Sequence, residues 1–340
     1  AYAETISQKG YMMANVADQI YTHPQGGMEW SGFNYETMFL KGLIDKLEIE
    51  PQIFYAGKFK SATEPFRYAQ MSEANKLQTS VWLNALYTSF IQGVSDTRGI
   101  ELNTLKEMSN EGKIQSANDA LENNLVDGLL YDDQVKKLIA KKLSVTKTED
   151  ISFVTINDYA ATVALRGSGA GKIAIIYADG DIEMGKGSDA IASDDYRTLL
   201  EEIKNDESID AVVLRVNSPG GSALASDIIW REIELLKKEK PVVVSMGNYA
   251  ASGGYYIACG ADSILADANT ITGSIGVFSV IPNIEGFMKN KLGITFDRVK
   301  TSQYADVPST TRTMNATEER FMQSGVDSTY HTFKSRVAKG

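Results

Sequence analysis

From residue 172 onward, short solid runs of apolar residues alternate with stripes at helical spacing. Ile173–Ala178, Ala211–Val216 and Pro241–Met246 are apolar runs of strand length and read as buried strands. The first run stops at the turn signal Asp179-Gly180. Ser193–Lys204 predicts a helix, with Ser193 as its N-cap and Asp194 and Asp195 in its first turn. Leu224, Ile228, Ile229, Ile233 and Leu236 recur at helical spacing, and lysines close that helix. Ser252–Cys259 predicts a short helix, and earlier in the chain Glu73–Val94 predicts a long one. Strands alternating with helices predict an α/β fold with a parallel sheet and crossover helices.

The chain also resembles itself at an offset of about 244 residues. Gly10, Tyr11, Ala14, Ala17, Asp18, Ile20 and Gly32 match Gly254, Tyr255, Ala258, Ala261, Asp262, Ile264 and Gly276. Lys46-Leu47 answers Lys291-Leu292, and Tyr87, Phe90 and Val94 answer Tyr330, Phe333 and Val337 with small shifts. The second copy starts near Lys172, well ahead of Ser252, whereas the first starts almost at its counterpart of Ser252. The expectation is therefore two tandem α/β repeats: the second half of one at 1–143, a linker at 144–171, and a second repeat lacking its end at 172–340. On this reading the chain is a window on a longer tandem protein; a naturally asymmetric pair is the alternative.

Composition narrows the function classes. The 340 residues are 43% hydrophobic and 23% charged, ordinary values for a folded protein with a real core. Acidic residues outnumber basic ones 44 to 34, so the basic footprint of a nucleic-acid binder is absent. One cysteine, Cys259, excludes an intrachain disulfide and leaves the compartment open. No stretch approaches the roughly 18 apolar residues of a membrane span. The N-terminus shows no basic region followed by an apolar core, so it does not read as a signal peptide, and it lacks an initiator Met.

Candidate chemistry sits at two junctions where a strand meets a helix. In L-R-V-N-S-P-G-G-S, residues 214–222, Gly220-Gly221 open a helix and can turn free N–H groups toward a developing oxyanion. A plain strand-to-helix turn explains the same residues. In V-V-V-S-M-G-N-Y-A-A-S-G-G-Y, residues 242–255, Ser252 lies at a helix N-terminus among Ala250, Ala251, Gly253 and Gly254. It is either a nucleophile with room for substrate or simply an N-cap. The first copy has Gln8 in its place, and conversely Lys60 falls where the second copy has Ala305, so each copy would hold half of a pair.

A serine nucleophile needs a base. The two histidines are weak candidates: His23 precedes Pro24 in a turn, and His331 lies on a helix whose first-copy counterpart is Thr88. A lysine serves if burial lowers its pKa from ~10.4 toward ~7–8. Lys60 sits among Ile53, Phe54, Tyr55, Phe59 and Ala62, which suits desolvation; Lys58, on the same strand face in this reading, is its rival.

These residues resemble a known family. N-S-P-G-G-S at 217–222, A-A-S-G-G-Y at 250–255, T-G-S-I-G at 272–276 and F-K-S-A-T-E-P-F at 59–66 are similar to the long tandem form of the signal peptide peptidase A (protease IV) family. The likeness includes the tail A-L-E-N-N-L-V-D at 120–127. It implies a Clp/crotonase-like fold and a serine protease with a Ser–Lys dyad and no cofactor or metal. Ser252 matches the nucleophile, Lys60 the general base, Ser274 the serine that orients the lysine, and Gly220 and Gly253 the oxyanion hole. It further implies apolar peptide substrates, signal peptides left in the membrane after secretion, a bowl-shaped homo-oligomer (a tetramer in the family), and action on the outer, periplasmic face of the cytoplasmic membrane through an anchor that this chain does not contain. The rivals are a crotonase-like acyl-CoA enzyme, disfavoured by the lack of a basic cluster for the nucleotide, and a non-catalytic peptide-binding scaffold.

Overall fold

The computed structural model describes residues 1–162, 171–187 and 189–340. The chain forms two compact units, each built from two segments: Ala1–Tyr35 with Val81–Ser168, and Glu36–Ser80 with Gly169–Gly340. The units therefore interleave along the chain: Glu36–Ser80 belongs to the second unit, and the later change of unit falls within 144–171. Residues 163–170 of that expected linker lie outside the described residues; the rest of it holds the helix Ile156–Thr162.

The second unit holds all the candidate site residues: Lys60, Gly220, Ser252, Gly253 and Ser274. Its strands are β1 (Glu50–Ala56), β2 (Lys172–Asp179), β3 (Ile209–Ser218), β4 (Val242–Ala251), β5 (Ser263–Leu265), β6 (Ile271–Gly273) and β7 (Val277–Asn283). Its principal helices are α1 (Ser193–Asn205), α2 (Ala223–Leu236), α3 (Gly253–Ala258) and α4 (Ala316–Lys339). A parallel sheet runs in the order β5-β4-β3-β2, with β6 also parallel to β4. This is the α/β arrangement that the alternation of strands and helices predicts.

One face of the sheet is packed. Val212, Leu214, Val216, Val242, Val244 and Met246 lie against Ile229, Ile233 and Leu236 of α2 and Leu200 of α1. Hydrophobic burial on this scale holds the two strand–helix junctions at one end of the sheet. The other face corrects the sequence reading of a buried first strand. Ile173, Ile175 and Tyr177 are exposed, because alternate side chains of β2 point to opposite faces and only one face is covered. Two details of the helices also differ from expectation. Ala192, not Ser193, is the N-cap of α1, and the Ser193 hydroxyl accepts from the Gly185 N–H instead. Leu224, at the start of α2, faces solvent.

The segment Glu36–Ser80 joins this unit through β1, which pairs antiparallel with β7 from Val277↔Ala56 to Asn283↔Glu50. Phe54 is buried there with Ile281, Met314 and Val326. That apolar anchor explains why residues preceding the predicted linker fold with those following it.

In the first unit, Tyr2–Ile6, Tyr21–Met28 and Gly128–Leu129 form a three-stranded parallel sheet. Tyr11, Ile20, Trp30, Ile91, Leu105 and Leu125 fill its core. The pairings Thr5↔Gly27 and Ile6↔Met28 recur as Tyr249↔Ile271 and Ala250↔Thr272 in the second unit, at the offset seen in the sequence. Among the described residues, no helix is long and apolar enough to cross a membrane.

Candidate active site

Ser252 occupies the single residue between β4 and α3, with φ 53° and ψ −119°. A left-handed φ is unfavourable for serine and persists only where the surroundings enforce it. Here the Ser252 N–H is tied to the Gly273 carbonyl of β6 at 2.9 Å. Although Ser252 is the N-cap of α3, its side chain makes no capping bond. Its hydroxyl oxygen instead accepts from Lys60 Nζ at 2.9 Å. The simple capping role that the sequence left open is therefore not what this side chain does.

Lys60 reaches the serine from just beyond the end of β1. Gly57, at φ 109°, turns the chain, and the Lys60 N–H donates to the Gly57 carbonyl at 3.1 Å. Lys60 then caps the short 3₁₀ turn Ser61–Thr63. Its side chain is buried, and Nζ also donates to the Ser274 carbonyl and Oγ, each at 3.1 Å. Burial lowers its pKa to about 8. Gly276 makes room for the stem: a Cβ there would stand 3.1 Å from both Cβ and Cδ of Lys60. Lys58 is exposed, with its ammonium 5.5 Å from the Phe59 ring centroid. The shared strand face expected for Lys58 and Lys60 does not exist, because both residues lie past the strand, in the turn that Gly57 starts.

Glu64 fastens the loop that bears the lysine. It is buried and accepts from the Ser72 N–H and hydroxyl and from Asn75 Nδ2 at 2.6–3.0 Å. Burial alone would raise its pKa, but these bonds hold the carboxyl below the usual range. On the opposite side of Lys60, Ser274 has φ 51° and lies three residues before β7. The antiparallel β1–β7 pair thus delivers Lys60 and Ser274 to the same end of the ribbon.

The glycines meet beside the serine. A Cβ on Gly220, whose φ is 108°, would stand 2.6 Å from the Gly253 nitrogen and 2.8 Å from Ser252 Cβ. Only glycine permits this approach. The Gly220 N–H donates to Ser218 Oγ at 3.1 Å, a pairing that the sequence did not suggest. A cavity of about 360 Å³ opens at Ser252 and Gly253 and is walled by Tyr256, Phe278, Thr329 and Phe333. The aromatic walls come from separate elements, so no local motif announced them.

Neither histidine is among the hydrogen-bond partners described above for Ser252 and Lys60. His23 belongs to the first unit, where Nδ1 accepts from the Gln25 N–H and the ring meets Tyr131 edge-on. His331 is exposed on α4. Cys259 is buried, which pushes its thiol up to about 11. Among the described residues, no group of three or more His, Cys, Asp or Glu side chains is placed to hold a metal.

Known proteins with similar sequences along the whole chain are proteases. The chain belongs to peptidase family S49, which matches it over residues 1–146 and 234–340. Protease 4 of Haemophilus influenzae is 36% identical over 354 residues, covering 100% of this chain and 57% of that protein. Protease 4 of Salmonella typhi is 35% identical, covering 99% and 56%. The chloroplastic serine protease SPPA of Arabidopsis thaliana is 31% identical, covering 99% and 51%. The chain thus spans about half the length of these relatives.

Proposed function

We propose that this chain bears the active site of a serine endopeptidase that works through a Ser252–Lys60 dyad. The observation that carries the reading is the 2.9 Å contact from a buried lysine to a serine held in a strained conformation. Neutral Lys60 takes the proton of the Ser252 hydroxyl as Oγ attacks a peptide carbonyl. The resulting oxyanion accepts from the Gly253 and Gly220 N–H groups, the latter leaving Ser218 Oγ, a change that a glycine accommodates readily. The lysine ammonium then protonates the departing amine, leaving an acyl ester on Ser252. Water, deprotonated by Lys60, releases the acid and restores the serine. Ser274 holds the lysine through its carbonyl and hydroxyl.

The family resemblance supplies the wider setting of the proposal. The substrates are apolar peptides, signal peptides left in the membrane after secretion. The complete protein is a membrane-anchored homo-oligomer on the periplasmic face. An acyl-CoA enzyme of the crotonase type would use the glycine N–H groups but has no need of a lysine turned onto the serine.

The test is cleavage of an apolar peptide by the complete protein and by Ser252→Ala. Turnover falls by several orders of magnitude in the variant, with an unchanged thermal melt. Wild-type turnover in Ser252→Ala removes the serine from the mechanism.

A further inference from the structure

The cavity at Ser252 has two walls with a common support. Tyr256 of α3 and Phe333 of α4 face each other with ring centroids 4.7 Å apart and planes 38° apart. Both are buried, and both line the cavity. Behind them the Tyr256 hydroxyl donates to Asp227 Oδ1 at 2.7 Å, and Arg336 Nε donates to the same oxygen at 3.2 Å. The Arg336 guanidinium also lies 3.9 Å from the ring centroid of Trp230. Asp227 and Trp230 stand three apart on α2. Thr329, Phe333 and Arg336 stand at i, i+4 and i+7, on one face of α4. One carboxylate oxygen therefore ties α3 and α4, each of which supplies a wall, to α2.

We propose that Asp227 is a positioning residue that holds the packed Tyr256–Phe333 pair in place as a wall of this cavity, and thereby sets the preference for bulky apolar over small side chains at the residue whose carbonyl Ser252 attacks. The inference rests on the serine-peptidase reading above. A bulky apolar side chain reaches the Tyr256–Phe333 pair and gains from burial there, whereas an alanine side chain stops short of it. Without the carboxylate, the tyrosine hydroxyl and the guanidinium turn to water, and the ring pair loses its fixed position. Discrimination is lost mainly in substrate binding, because Asp227 bonds to the side chains of Tyr256 and Arg336 and not to those of Ser252 or Lys60.

The experiment measures kcat and KM for peptides that differ only in leucine or alanine at the cleaved residue. The complete wild-type protein is compared with Asp227→Ala, Asp227→Asn and Thr329→Leu. In Asp227→Ala the leucine-to-alanine ratio of kcat/KM falls at least tenfold, mainly through a higher KM for the leucine peptide. Asp227→Asn, which keeps an acceptor for Tyr256 but not the charge facing Arg336, gives a smaller fall. Thr329→Leu occupies the cavity from a half-buried position and shifts the ratio toward alanine, even if Asp227→Ala does not fold. Equal losses on both peptides in Asp227→Ala, or an unchanged ratio in Thr329→Leu, overturn the proposal. Ser252→Ala is assayed in parallel: an unchanged ratio in an enzyme that this substitution silences removes the cavity inference alone, whereas turnover by Ser252→Ala removes the reading beneath it.

Discussion

Lys60 Nζ lies 2.9 Å from Ser252 Oγ although 192 residues separate them in the chain. The contact exists because β1 pairs with β7 and so carries Lys60 to where β4 ends. Both partners lie within one compact unit.

If Lys60 is the base, activity follows its deprotonation. Burial places its pKa at about 8, below the 10.5 of an exposed lysine. kcat/KM for a neutral apolar peptide therefore rises with pH, bends near 8 and levels off above it. A pH–rate profile that climbs without a bend to the ordinary lysine value contradicts the assignment.

The same burial has a signature in stability. A lysine whose folded pKa is lowered binds fewer protons in the native than in the unfolded state between about 8 and 10.5, so its contribution favours folding more as pH rises through that window. Below the window the native state bears the penalty of a charged, desolvated ammonium. Lys60→Met lacks this dependence. Thermal melts at pH 7 and pH 10 should show the variant losing ground to wild type as pH rises; a difference independent of pH contradicts it.

The two lysines of the Gly57 turn should separate cleanly in function. Lys60→Met keeps the length and apolar stem but accepts no proton, and peptidase activity should fall by several orders of magnitude. Lys58→Met alters an exposed side chain and should retain most of it. A silent Lys58→Met with an active Lys60→Met would reverse the assignment.

Gly276→Ala tests the packing around Lys60. The added Cβ would stand 2.8 Å from the Ala56 carbonyl oxygen and 3.1 Å from Lys60 Cβ and Cδ. The carbonyl belongs to a strand paired with the residue that follows Gly276, so it cannot yield freely. Overpacking of this kind costs about 1–3 kcal/mol. A lower melting temperature is expected, together with at least a tenfold loss of kcat from a displaced lysine. Full activity would show that the lysine stem tolerates the shift.

Much of this site is legible in the sequence, because Ser252 and the glycine pairs stand at junctions marked by an apolar run on one side and a helical stripe on the other. At the serine junction the two copies pair alike in the structure, where Ile6↔Met28 corresponds to Ala250↔Thr272, in keeping with the repeat. The segment bearing Lys60 is harder. Its motif singles the lysine out, but nothing local reveals that Gly57 ends the strand or that β1 crosses into the second unit. The open face of β2 is also hidden, since Ile173, Ile175 and Tyr177 have the composition of a strand covered on both sides. Asp227, Tyr256 and Phe333 converge from three helices, and spacing along the chain carries no trace of such a meeting.

The account is tested most directly by the site at which a serine-reactive fluorophosphonate attaches to the complete protein. Peptide mass mapping should find one phosphonyl group, on Ser252, with loss of peptidase activity in step with labelling. The labelling rate should rise with pH through about 8 and collapse in Lys60→Met. Inactivation accompanied by an adduct on another residue, with Ser252 unmodified, would contradict the account.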